Sequence, residues 1–164
     1  MESLRDNDWG MGLALDEARK ALALGEVPVG CVIVKGGEVI GRGHNLKETL
    51  QDPTAHAEMV AIRQAAEHEG SWRILDATMY VTLEPCPMCA GAIVMSRIPR
   101  LVVGARDPRT GACGSIMDIV QDQRLNHRVN LTFGVREQEC ASLLEAFFVE
   151  LRKELREARG DGWV

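Results

Sequence analysis

The chain of 164 residues has no run of eighteen apolar residues, and its opening, MESLRD, is acidic and polar. The first absence argues against a membrane-spanning helix and the second against a secretory leader. A cytoplasmic location without a membrane partner is the resulting expectation. A basic excess is also missing: 19 Lys and Arg stand against 24 Asp and Glu, for a net charge of −5. A broad, sequence-blind grip on nucleic acid needs a basic face, so it is not expected. A small footprint lined by local arginines is still allowed. Arg97, Arg100, Arg106, Arg109, Arg124 and Arg128 crowd one region, and Arg152, Lys153, Arg156 and Arg159 mark the end; solvated surface charge is the plain alternative for them. There is no internal repeat, low-complexity segment or linker. Residues 1–164 are therefore read as one domain, long enough to bury about two thirds of the unfolded surface. The composition, 46% hydrophobic and 26% charged, is that of an ordinary soluble globular protein.

A disulfide framework is not suggested either. The five cysteines are an odd count, and two of them, Cys86 and Cys89, are spaced C-x-x-C, which in such a protein points to metal or redox chemistry. Cys31, Cys113 and Cys140 are isolated and read as small buried hydrophobes. His56 adds an imidazole, and His56, Cys86 and Cys89 together give the ligand count of a catalytic zinc site with its fourth position open. Glu58 is left over as a carboxylate beside the metal, free to move protons. H-x-E followed by P-C-x-x-C is the signature of zinc nucleobase deaminases. A structural zinc site completed by Cys113 or His44, and a redox C-x-x-C, are the alternatives; neither gives a reason for Glu58.

The periodicity predicts a helix over 8–24 with Met11, Leu15, Ala18 and Leu22 on one face, stopped by Gly25. Residues 30–35 and 38–44 flank Gly36 and Gly37 as a hairpin. A polar loop leads to Asp52-Pro53, which reads as N-cap and N1 of a helix to about His68 with Met59, Ile62 and Ala66 inward. Strands are expected at 77–82, 100–104 and 129–135, a helix from Pro85 to about Ser96, a short helix over 118–122, and a long terminal helix over 136–159. Its apolar set is Leu143, Leu144, Phe147, Phe148 and Leu151. Five strands with interleaved helices imply an α/β fold with helices on both faces of the sheet. His56 and Glu58, two apart, do not share a helix flank, so both reach one metal only if a helix end faces it.

Three runs carry a closer likeness: 52–58 (DPTAHAE), 84–93 (EPCPMCAGAI) and 104–115 (GARDPRTGACGS), with Asn126-His127-Arg128 after them. From about Trp9 to about Leu155 the chain resembles the bacterial tRNA-specific adenosine deaminases. The resemblance implies the cytidine-deaminase-like three-layer α/β/α sandwich with a five-stranded mixed sheet. It implies conversion of the wobble adenosine of an ACG-type arginine anticodon to inosine, with a tRNA anticodon stem-loop as partner, one zinc ion per subunit and a homodimer whose RNA site uses both subunits. Zinc would bring the pKa of bound water to about 7, the hydroxide would attack C6 of adenine, and Glu58 would shuttle protons. On the same resemblance Asn45 hydrogen-bonds the base, Val27, Pro28 and the Glu26 backbone region wall the pocket, Asp107 contacts backbone or sugar, and His127 and Arg128 contact the anticodon loop. Phe148 would pack on a neighbouring base, although its spacing with Leu144 and Leu151 favours core burial. Asn45 and Asp107 have ordinary turn roles as alternatives. A free-base or nucleotide deaminase, acting on guanine or deoxycytidylate, and a non-catalytic zinc-bearing RNA-binding subunit are the competing functions.

Overall fold

The structure of the chain, a computed structural model, describes residues 4–160. Helix α1 (Leu4–Ala23) leads into strands β1 (Gly30–Lys35) and β2 (Glu38–His44), a short helix α2 (Lys47–Leu50) and helix α3 (Ala57–Glu69). Strand β3 (Ala77–Leu83), helix α4 (Pro87–Met95), strands β4 (Arg100–Ala105) and β5 (Asn130–Phe133), and helix α5 (Glu137–Ala158) follow. The five strands form one sheet in the order β2-β1-β3-β4-β5. β1 is antiparallel to both β2 and β3, whereas β3, β4 and β5 are parallel.

Alternation along the strands produces the three layers. Successive side chains of a strand point to opposite faces. Cys31, Ile33, Met79, Val81, Leu101 and Val103 therefore meet Ala61 and Ala65 of α3 and Ala90 and Ile93 of α4 on one face. Val32, Val34, Tyr80 and Val102 meet Met11 and Leu15 of α1 and Cys140 of α5 on the other. Strands covered on both faces read as continuous apolar runs. The three parallel strands end together at Leu83, Ala105 and Phe133. Ligand crevices of such sheets open at that carboxyl edge.

Several elements depart from the sequence expectation for physical reasons. Asp52 and Pro53 do not start α3. Asp52 Oδ1 accepts hydrogen bonds from Thr54 N–H at 2.8 Å and from Thr54 Oγ1 at 2.7 Å, an Asx turn that satisfies the carboxylate locally. Leu46 N–H then donates to the Ala55 carbonyl at 2.9 Å, closing the 46–55 segment around α2, and α3 begins at Ala57 with His56 as N-cap. The buried face of α3 is Ala57, Glu58, Ala61 and Ala65; Met59, Ile62 and Ala66 are half-buried. A Cβ on Gly43 would run into the backbone of Ala57 and Ala61, and one on Gly41 into the Ala61 carbonyl. At that approach only alanine fits the inner face of the helix.

The stretch 118–122 is not helical; Cys113 and Asp118 form an isolated bridge, and Val129 N–H donates to the Val120 carbonyl. Only Cys140 of α5 is buried. Phe148, expected in the core, is 41% exposed and meets Phe147 edge-on with ring centroids 5.3 Å apart. Beyond its first turns α5 runs beside the end of α1, where Phe147 and Leu151 line one cavity with Leu22 and Gly25. Among the described residues, no helix is long and apolar enough to cross a membrane.

Candidate active site

Helices α3 and α4 both begin with a residue whose side chain turns away from capping. His56 (φ −77°, ψ 155°) and Cys86 (φ −71°, ψ 173°) occupy the N-cap positions in extended backbone, and neither side chain makes a cap hydrogen bond. Pro87 follows at N1, where its missing N–H costs nothing. His56 Nδ1 instead lies 3.6 Å from Cys86 Sγ and 3.6 Å from Cys89 Sγ. The three ligand atoms all fall within 4.8 Å of one another. A tetrahedral centre about 2.3 Å from sulfur and about 2.0–2.1 Å from nitrogen separates the two ligand atoms by about 3.6 Å. The spacing and the donor set, one imidazole and two thiols, thus fit a zinc-sized ion with one coordination position left over. This is the only such group among the described residues. His44 Nδ1 is engaged 2.9 Å from Glu17 Oε2, and Cys113 lies outside the group. The four-ligand structural site is not assembled.

The convergence of two helix N-termini sets the electrostatics, because unpaired N–H groups there favour negative charge. A hydrogen bond from Cys89, with help from His56, outweighs burial and holds the Cys86 thiol down at about 4. His56 is raised in turn by its bond to Cys86, and Cys89 is pushed far up by the neighbouring Cys86 and by burial. Glu58, in the first turn of α3, is 4% exposed. Burial lifts its carboxyl to about 7, and the Cys86 charge adds to the rise. A group of that kind takes up and releases protons near neutral pH.

Glu58, His56 and Cys86 open onto a cavity of about 160 Å³ that is also lined by Val27, Val29, Asn45, Lys47, Ala57, Leu83, Glu84, Asp107 and Thr110. A cavity of about 150 Å³ holds one benzene, so the space suits a single flat heterocycle. Asn45 is buried; its Oδ1 accepts Lys47 N–H at 3.3 Å, so it has the turn role and a place on the wall at once. Asp107 also has both: Oδ1 accepts the N–H groups of Arg109 and Thr110 at 2.9 and 3.2 Å, and Oδ2 accepts Thr110 Oγ1 at 2.8 Å. Pro28 lies behind the wall, inside a turn closed by Val29 N–H on the Val27 carbonyl at 2.8 Å. The Glu26 carboxylate ties this turn to α2 by accepting Glu48 N–H at 3.1 Å and Thr49 N–H at 2.6 Å.

The other expected contacts are elsewhere. His127 and Arg128 precede β5, at the amino end of the parallel strands and opposite the cavity; His127 Nε2 is 2.8 Å from the Ile98 carbonyl, and Arg128 Nη2 donates to the Gln123 carbonyl at 3.2 Å. Phe148 does not line the cavity. Glu26, expected at the wall, does not line the cavity, whereas Val29, Leu83, Thr110 and Glu84 line it without having been assigned a place there from the sequence. For Glu84 there was a signal: an acidic residue directly between a β-rich run and P-C-x-x-C.

The chain is similar to known proteins. The family model for MafB19-like deaminases matches residues 5–152. A tRNA-specific adenosine deaminase of Bacillus subtilis is 53% identical over 146 residues, 89% of this chain and 91% of that one. A solved structure from a study of A-to-I editing by tRNA:A34 deaminases superposes with a TM-score of 0.80 at 46% identity, over 83% of this chain and 99% of the other. A guanine deaminase from Bacillus subtilis gives a TM-score of 0.57 at 39% identity, over 60% of this chain and 63% of that one. The metal-ligand group, the cavity above it and likeness to tRNA deaminases over nearly the full length agree, and the chain belongs to the tRNA-specific adenosine deaminase family.

Proposed function

We propose that the chain, acting as one domain in the cytoplasm, deaminates the wobble adenosine of tRNA with an ACG-type arginine anticodon to inosine, using one zinc ion per subunit. The observation that carries this is the meeting of His56, Cys86 and Cys89 beneath a cavity sized for one base, with Glu58 buried at its floor. Zinc held by those three residues supplies Lewis acidity that brings the pKa of water toward about 7. Glu58 would take one proton from that water and pass it to the ring nitrogen, then take the second from the hydroxyl on C6 and pass it to the departing amine. Oxygen joins C6, the C6–N bond breaks, and ammonia leaves. Asn45, whose amide both donates and accepts, holds the base edge. Val27 walls the ring with Pro28 supporting it from behind, and Asp107 meets the sugar or backbone.

His127, Arg128 and Phe148 lie away from the cavity of their own chain, and a homodimer that presents them from a second copy would bring them to the anticodon loop. Exposed apolar side chains on α4 and on the loop after β4, Met95, Ile116 and Met117, suit such an association. A second reading, guanine deaminase, is favoured by the 39% identity to the Bacillus subtilis enzyme. Parallel incubations with an ACG anticodon stem-loop and with free guanine separate the two. Inosine in the RNA and no ammonia from guanine is the expected result; the reverse would reassign the enzyme.

A further inference from the structure

Glu84 is 2% exposed and makes no ion pair among the described residues. A buried carboxylate in that position is tolerated only when hydrogen bonds satisfy its oxygens. Four do. Oε1 accepts Asp107 N–H at 3.1 Å and the Ser115 hydroxyl, and Oε2 accepts Cys113 N–H at 3.0 Å and Ser115 N–H at 3.1 Å. All four donors belong to the loop that follows β4. The neighbouring backbone reinforces the attachment: Glu84 N–H donates to the Ala105 carbonyl, and Ala112 N–H donates to the Pro85 carbonyl, both at 2.8 Å. The loop packs so closely that a Cβ on Gly111 would overlap the Glu84 carboxylate. Glu84 is two residues before Cys86, and the loop that it grips carries Asp107 and Thr110 of the cavity wall.

We propose that Glu84 is a positioning residue: its carboxylate clamps the 107–115 loop to the metal-ligand turn and fixes the distance between the base-holding wall and the metal. The inference rests on the deaminase reading of the cavity. Every partner of the carboxylate donates to it, so both oxygens are used as acceptors, and a Gln amide would set N–H against N–H. The clamp acts on substrate placement, and its loss appears chiefly in KM.

The test uses the full-length, zinc-loaded protein with Glu84→Gln, Ser115→Ala and Gly111→Ala. Ser115→Ala removes one bond and buries no mismatched group, so it remains informative where Glu84→Gln does not fold. Kinetics on the anticodon stem-loop should show KM raised about 10-fold or more for Glu84→Gln and about 5-fold for Ser115→Ala, with kcat less affected and zinc retained. Amide exchange should quicken in residues 105–116 of all three variants and stay unchanged in 57–69. Unchanged exchange in 105–116, unchanged KM, or loss of zinc with the loop still protected would overturn the proposal. Absence of inosine with the wild type would count against the deaminase reading instead, and the exchange measurement would still decide the clamp.

Discussion

Glu58 and the ligands His56, Cys86 and Cys89 were legible in the sequence because their chemistry rides on residue type and spacing. Glu84 offered only its place before P-C-x-x-C, and its hold on the loop was not legible, since its partners are mostly backbone amides, which every residue carries. Asn45 and Asp107 illustrate a third case: each closes a local turn and also faces the cavity, so a turn signal in the sequence neither supported nor opposed a binding role. At this scale Glu58→Ala is expected to lower turnover by about 10²–10⁴-fold while metal analysis still finds one zinc per chain. It should not lower the melting temperature, because it removes an acid from a desolvated position. Cys86→Ala should lose the metal. Zinc lost from the Glu58 variant would make Glu58 a ligand and remove its role as proton carrier.

At the scale of elements, the positions of the strands were legible, because the central runs β1, β3 and β4 are apolar and buried and β5 alternates at the edge; their order in the sheet was not read from the sequence. The start of α3 was not. Asp52-Pro53 is a strong helix-start signal, but the Asp carboxylate is taken up by Thr54 and the helix waits until His56 can face the metal group. The amphipathic pattern of α5 was correct, yet periodicity does not reveal how far a helix extends beyond the sheet that covers it. The inner face of α3 gives a prediction. Gly43→Ala places a methyl against the Ala57 and Ala61 backbone and should cost about 1–3 kcal/mol in denaturant unfolding, with activity falling because α3 carries His56 and Glu58.

Glu26 gives a pH prediction for the neighbouring elements. Burial raises its carboxyl, but the N–H groups of Thr49 and Glu48 outweigh that and hold it below its ordinary 4.5. A depressed folded value means that the stabilisation is complete above the ordinary value and is lost as pH falls through the folded one. Unfolding free energies measured from about pH 6 to pH 3 should therefore fall more steeply for the wild type than for Glu26→Gln. Parallel curves would show that the carboxylate does not hold α2.

For the molecule as a whole, a net charge of −5 leaves few places for phosphate contacts. Binding of the anticodon stem-loop should weaken only modestly with salt, with a logarithmic slope near −2 corresponding to two or three contacts. Sedimentation should give about twice the 18.0 kDa of one chain if a second copy presents His127, Arg128 and Phe148. The most direct measurement of the central claim is inosine formation at the first anticodon position of an ACG stem-loop, with the wild type and Glu58→Ala side by side, both folded and both zinc-loaded. The account predicts inosine from the wild type and a rate lower by two or more orders of magnitude from the variant. Equal rates from the two, or no inosine from a zinc-loaded wild type, would contradict it.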